Sequence, residues 1–151
     1  MTALGEFRAP LVEGPLTVTD FVRYQGASGD MNPIHHDAEF AQAAGFPTVF
    51  AVGMRQAGVL AAFAADHFGP DHVRRFDVQF RAIAWPGDIL TYTGEITAVE
   101  ETATHTVCTV ALRATRQTGE VHLAGTAVFE IPLEPLDEAG TAVFEVPRQE
   151  R

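Results

Sequence analysis

Between Gly26 and Asp37 the chain reads GASGDMNPIHHD, its densest run of polar side chains. Asp30 and His35 stand on either side of Asn32-Pro33. Proline fixes its own φ and biases the residue before it toward extended backbone, so the two side chains can converge on one point. A carboxylate beside an imidazole can activate water: the carboxylate holds or shares a water proton, and the imidazole, with a pKa near neutrality, moves one in either direction. The same residues also suit a plain turn, with Asp30 as a cap and His35 on the surface, and residue type alone leaves both readings open.

Other chemistries fit this loop less well. Ser28 is the chain's only serine, and a Ser28-His35-Asp30 triad would crowd one short loop without the Gly-x-Ser-x-Gly elbow that exposes a nucleophile. A metal site at His35-His36-Asp37 lacks a third ligand at metal-binding spacing, and adjacent histidines point apart on either a helix or a strand. No metal and no cofactor are expected. All 10 basic residues are arginine, which removes Schiff-base chemistry and every lysine nucleophile. Cys108 alternates with Val110 and Leu112 on one strand face and reads as a buried thiol. His67, His72, His105 and His122 are scattered singly and are expected on surfaces or helix ends. A second candidate is Gly53 in FAVGM, immediately before a helix. Backbone N–H groups at a helix start, with the helix dipole behind them, can hold a carbonyl oxygen that gains negative charge, although an ordinary glycine N-cap looks the same.

These residues need a scaffold, and 151 residues with 46% hydrophobic and 20% charged content fit a single globular domain. No apolar stretch approaches a bilayer span. A formal charge of -10 leaves no electrostatic footprint for nucleic acid or for an anionic membrane surface. One cysteine excludes an intrachain disulfide framework, and the N-terminal residues lack a secretory layout, so a cytoplasmic location is expected.

TDFVRYQ, Thr19 to Gln25, predicts a short helix, and MRQAGVLAAFAADHF, Met54 to Phe68, predicts the one long helix. Four strands are expected at roughly Val73 to Ala84, Asp88 to Glu100, Thr104 to Arg116 and Glu120 to Ile131. Links as short as Trp85-Pro86-Gly87, Glu101-Thr102-Ala103 and Gln117-Thr118-Gly119 predict an antiparallel meander. Phe76, Val78 and Phe80 alternate with charged or polar neighbours, so one sheet face needs a cover, and the long helix supplies it. The expected class is α+β, with the sheet approaching the helix over Ala57, Gly58, Ala61, Ala62 and Ala65. AGTAVFEIP (Ala124 to Pro132) returns as AGTAVFEVP (Ala139 to Pro147). Two copies do not make a solenoid, so residues 1–132 are read as one domain and 133–151 as a tail carrying a near-copy of the last strand.

YQGASGDMNPIHHDAEFAQAAGFP, then AVGM opening a helix, then RFDVQFRAIAWPGDIL together resemble the MaoC-like family of R-specific enoyl-thioester hydratases and dehydratases, over about Thr19 to Ile131. The resemblance implies a hot-dog fold, a long helix wrapped by an antiparallel sheet. It also implies a homodimer or higher hot-dog assembly, or a heteromer with a related subunit. By position, Asp30 and His35 would activate one water for addition to, or loss from, the C2–C3 bond of a CoA or acyl carrier protein thioester. Asn32 would orient the loop or the water, and the Gly53 N–H would polarise the thioester carbonyl. Ser28, Pro33, Val52 and Met54 would lie against substrate, and Arg74, Arg75 and Arg81, with Arg55, are candidates to meet CoA phosphates or an acidic carrier. Val52 stands where many family members carry histidine. Two alternatives are a hot-dog thioesterase, which commonly places a carboxylate on the long helix, and an acyl-thioester-binding subunit without activity of its own.

Overall fold

The computed structural model describes residues 6–133, so the second copy of AGTAVF, and the tail beyond Leu133, lie outside the described residues. Strand β1 (Leu11–Glu13) leads to α1 (Val18–Ser28), a 3₁₀ turn at Pro33–His35, α2 (Ala38–Ala43) and α3 (Gly53–Phe68). Then come β2 (Val73–Phe80), β3 (Leu90–Glu101), β4 (His105–Arg116) and β5 (Val121–Pro132). No helix of the described residues is long and apolar enough to cross a membrane.

Helix α1 starts on a capping box. Thr17 Oγ1 accepts from the Asp20 N–H at 3.2 Å, and Asp20 Oδ2 accepts from the Thr17 N–H at 3.0 Å. The helix runs past the expected end at Gln25 to Ser28, because Gly29 rather than Gly26 takes the left-handed conformation (φ 77°) that terminates it. Two short elements escape the sequence reading. Strand β1 has three residues, too few to show a period. Helix α2 has six, and it depends on Asp37, whose Oδ1 accepts from the N–H groups of Glu39 and Phe40 at 3.0 Å.

The sheet is antiparallel throughout, with order β1-β3-β4-β5-β2. β3, β4 and β5 form the expected meander, but β2 is no part of it. It pairs with β5, Phe76 opposite Ala127 and Phe80 opposite Leu123. The strand ends at Phe80 rather than Ala84, so its link to β3 is Arg81 to Ile89 rather than Trp85-Pro86-Gly87. A link of that length can cross from one side of the sheet to the other. It passes the start of α3, where the Ala51 N–H donates to the Ala84 carbonyl at 2.9 Å. Its far end is pinned by buried Asp88, which accepts from the Trp85 N–H (2.8 Å), Arg116 (2.7 and 3.1 Å) and Gln117 Nε2 (3.0 Å). Burial alone would raise the Asp88 carboxyl, but these donors outweigh it and hold the group below its ordinary range.

Helix α3 lies on the sheet through Gln56, Ala57, Leu60, Phe63 and Ala64, packed in one core with Tyr92, Val110, Leu112, Leu123 and Phe129. Each large apolar side chain buried in this way contributes roughly 1.5–3 kcal/mol. Of the five small residues expected on the inward face, only Ala57 is fully buried; Gly58 and Ala62 are exposed, since the Leu60 and Phe63 stripe decides which way the helix faces. Cys108 is buried as expected, and burial pushes its thiol up. One long helix covered by an antiparallel sheet is the hot-dog arrangement.

Candidate active site

The loop after α1 is built from side chains that bond to its own backbone. Ser28 Oγ accepts from the Asp30 N–H (3.3 Å), Asp30 Oδ1 from the Asn32 N–H (3.3 Å), and Asn32 Oδ1 from the Ile34 N–H (3.1 Å), the last capping the 3₁₀ turn that carries His35. Gln25, only 1% exposed, clamps this loop from the last turns of α1. Its Nε2 donates to the carbonyls of Asp30 (2.7 Å) and Asn32 (2.9 Å), while its Oε1 accepts from His36 Nδ1 at 2.8 Å.

His35 is 8% exposed. Its Nδ1 lies 2.8 Å from the Phe50 carbonyl, which can only accept, so Nδ1 carries the proton and Nε2 is left with its lone pair. That Nε2 is 3.9 Å from Asp30 Oδ2. The gap is too long for a direct hydrogen bond and suits one water held by both groups. Because Oδ1 is already occupied by the Asn32 N–H, Oδ2 is the carboxylate oxygen left for chemistry. The Phe50 ring stands edge-on to the imidazole, with centroids 5.1 Å apart, and is itself braced by Phe46 and Trp85.

Asp30 and His35 open onto a cavity of about 310 Å³ whose other walls are mostly apolar. One wall is the start of α3, with Val52, Gly53 and Met54; another is the crossing segment, with Ala82, Ile83 and Ala84; Phe50, Ala51 and Phe80 complete the apolar lining. No side chain caps α3, so its first backbone N–H groups, beginning with Gly53, present the positive end of the helix to the cavity. A Cβ at Gly53 would come within 2.6 Å of the Phe80 ring, which explains glycine there. Among the described residues no three His, Cys, Asp or Glu side chains are grouped to hold a metal ion.

The structure brings Asp30, His35, Val52, Gly53 and Met54 to one cavity. Ser28, Asn32 and Pro33 shape the loop and are absent from the cavity lining. The arginines lie elsewhere. Arg74 pairs with Glu130 at 3.1 Å and donates to the Asp71 carbonyl, and Arg75 pairs with Asp77. Arg81 borders a separate groove with Asp77 and Gln79, while Arg55 is paired with Glu13. Arg74, Arg75 and Arg55 are thus paired with neighbouring acids in a chain with twice as many acidic as basic residues.

Two site residues escape the sequence reading. Gln25 sits in a helical run with nothing to mark its side chain as a clamp. His122, expected on a surface, is only 3% exposed and lines the cavity. Alternation with Leu123 would turn it outward, but the β4–β5 register slips here: Ala114 faces Leu123 and Thr115 faces Val121. His122 is the extra residue of a β-bulge, a device that re-aims a side chain.

A family model described as MaoC like domain matches residues 2–118. The chain is 38% identical over 63 residues to the peroxisomal hydratase-dehydrogenase-epimerase of Saccharomyces cerevisiae, an alignment covering 42% of this chain and 7% of that protein. It is 36% identical over 66 residues to the enoyl-CoA hydratase ChsH3 of Mycobacterium tuberculosis, covering 42% of this chain and 23% of the other. The chain thus spans less than a quarter of the length of either curated relative. Among solved structures, the R-hydratase PhaJ1 from Pseudomonas aeruginosa superposes with a TM-score of 0.69 at 25% identity, over 95% of this chain and 89% of that one. With the family model matching well over half of its length, the chain belongs to the MaoC-like domain family.

Proposed function

We propose that this protein reversibly hydrates trans-2-enoyl thioesters to (R)-3-hydroxyacyl thioesters, on CoA or on an acyl carrier protein. The observation that carries the reading is the 3.9 Å gap between Asp30 Oδ2 and His35 Nε2 at an apolar cavity that also receives the start of α3. One water held in that gap adds its oxygen to C3. The proton it gives up to the pair is the one C2 needs, so the overall step consumes one water and requires no cofactor. As charge develops on the thioester oxygen, the Gly53 N–H and the helix dipole stabilise it. Loss of water from the hydroxyacyl thioester follows the same path backwards.

A thioesterase reading gains no support, because the only carboxylate on α3 is Asp66, near its far end and paired with Arg8 at 3.1 Å. Self-association, or pairing with a related subunit, belongs to the same proposal: β2 is an eight-residue strand at one end of the sheet with its outer edge unpaired among the described residues. Incubation with crotonyl-CoA and with a longer trans-2-enoyl-CoA tests the reaction. Loss of the conjugated thioester absorbance together with an (R)-3-hydroxy product on a chiral column is the expected result. Free CoA would instead indicate hydrolysis, and binding without turnover would indicate a non-catalytic subunit.

A further inference from the structure

Of the two adjacent histidines in the loop, the hydration step uses only His35. His36 is exposed and absent from the cavity lining. Its Nδ1 nevertheless stands 2.8 Å from Oε1 of Gln25, a side chain that is almost fully buried. The other end of the same amide fixes which atom is which: Nε2 meets two carbonyls, Asp30 at 2.7 Å and Asn32 at 2.9 Å, and a carbonyl can only accept. Turned over, the amide would set its oxygen against both. Oε1 therefore points to His36, and because an amide oxygen also only accepts, His36 Nδ1 carries a proton. The backbone of His36 closes the 3₁₀ turn that carries His35, its N–H donating to the Pro33 carbonyl at 3.0 Å. One amide thus joins the peptide units at Asp30 and Asn32, before the turn, to the residue that follows His35. The Phe50 carbonyl holds the His35 ring and the Asn32 N–H holds the Asp30 carboxylate, but neither bond runs between the two sides of the loop.

We propose that His36 is a positioning residue for the hydration step: through the Gln25 amide it fixes the separation of Asp30 and His35, and with it the seat of the water they share. The inference rests on the hydratase reading of the cavity. His36 touches no reacting atom, so its contribution falls on the chemical step and not on binding, since a small displacement of either member of the pair spoils the geometry that step requires. An imidazole protonated on both nitrogens keeps the Nδ1–H, so the clamp stays closed in either charge state of His36.

The test uses the full-length protein. His36→Leu keeps a side chain over Gln25 but has no donor, and kcat on a trans-2-enoyl-CoA should fall about tenfold with KM little changed. His36→Asn places an amide nitrogen where Nδ1 was and should restore most of that loss. Added to Gln25→Ala, His36→Leu should cost nothing further, because its path to the catalytic pair is already cut. Two readouts do not depend on turnover. In nitrogen NMR at about pH 9, where an imidazole is neutral, the His36 proton should reside on Nδ1. Hydrogen exchange at the Asn32 and Ile34 amides should quicken in His36→Leu and stay native in His36→Asn. A neutral His36 protonated on Nε2, native kcat in His36→Leu, equal losses in His36→Leu and His36→Asn, or a further loss on the Gln25→Ala background overturns the inference. Should the native protein turn over no enoyl thioester, the hydratase reading fails by itself, and the tautomer and the exchange rates still decide whether His36 holds the loop.

Discussion

Two histidines on different walls of one cavity share the same first constraint and differ in the second. His35 and His122 each give their Nδ1 proton to a backbone carbonyl, Phe50 at 2.8 Å and Ala82 at 2.6 Å, and each therefore presents Nε2 as a lone pair. His35 has a carboxylate oxygen 3.9 Å from that lone pair; His122 has no partner for it among the described residues. The His35 lone pair can share a water with that carboxylate, whereas at His122 burial disfavours the imidazolium even against the opposing charge of Asp88. The same side chain in the same tautomer is thus suited to move a proton on the loop and to stay neutral on the sheet.

The sharpest way to break this contrast is to remove the carboxylate. Asp30→Asn keeps size and hydrogen-bonding reach but deletes charge and basicity, and turnover of an enoyl-CoA should fall by about 10²–10⁴-fold. His35→Ala should fall comparably, and the double variant should lose little more than either single one, because the pair acts on one water. Kinetics of the three variants, with folding followed by circular dichroism, read the outcome. Retention of most activity in folded Asp30→Asn would reduce Asp30 to a turn residue.

Next in size is the oxyanion contact at α3. Gly53→Pro removes the N–H at a first-turn position that tolerates proline, after a Val52 already in extended conformation (φ −73°, ψ 102°). Turnover should drop about a hundredfold. Gly53→Ala is the matched control: it displaces the Phe80 ring in the same way but keeps the donor. Equal losses in the two variants would assign the effect to Phe80, which is 51% exposed, and not to the backbone N–H.

A smaller loss is expected from Gln25→Ala, which frees the Asp30 and Asn32 carbonyls without touching the reacting groups. Misplacing a catalytic group by a fraction of an ångström affects the chemical step more than binding. The expected result is about a tenfold drop in kcat with KM little changed; a rise in KM at constant kcat would make Gln25 part of the substrate surface instead.

The two walls were also unequally legible in the sequence. Asp30, His35 and Gly53 are marked by residue type beside proline and glycine, signals that act locally, and the long helix and the β3-β4-β5 meander follow from periodicity. The position of β2 depended on whether it ends at Phe80 or Ala84, a difference of four residues that decides between a tight turn and a crossing link. His122 was hidden for a related reason: a bulge is a mismatch between two strands, and β5 alone does not show where β4 slips. Gln25 needed the path of the loop, since a glutamine on a helix announces no partner. Charge type says nothing about pairing, and Arg74, Arg75 and Arg55, candidates for a phosphate contact by charge, each stand beside an acid that no sequence pattern marks.

The smallest effect expected is thermodynamic and isolates the sheet-side histidine. Burial lowers the His122 pKa from its ordinary 6.5, and Arg116 adds to this, while the bond to Ala82 and the charge of Asp88 oppose it. Above pH 6.5 both folded and unfolded chains hold this imidazole neutral, and it contributes no pH dependence. Below 6.5 the unfolded chain takes up a proton that the folded chain refuses, so stability declines on acidification until the depressed folded pKa is reached. One such group gives a slope of at most about 1.4 kcal/mol per pH unit. His67, lowered by burial and by Arg8, acts in the same direction, and Asp88, with its depressed carboxyl, adds a loss only when pH falls below the 3.8 of an ordinary aspartate. Urea unfolding of the native protein and of His122→Asn across this range separates the contributions. The variant should show a shallower decline just below pH 6.5 and the same decline below pH 3.8. Parallel curves throughout would mean that His122 is protonated as easily inside the fold as outside it, and the contrast between the two histidines would then rest on the Asp30 carboxylate alone.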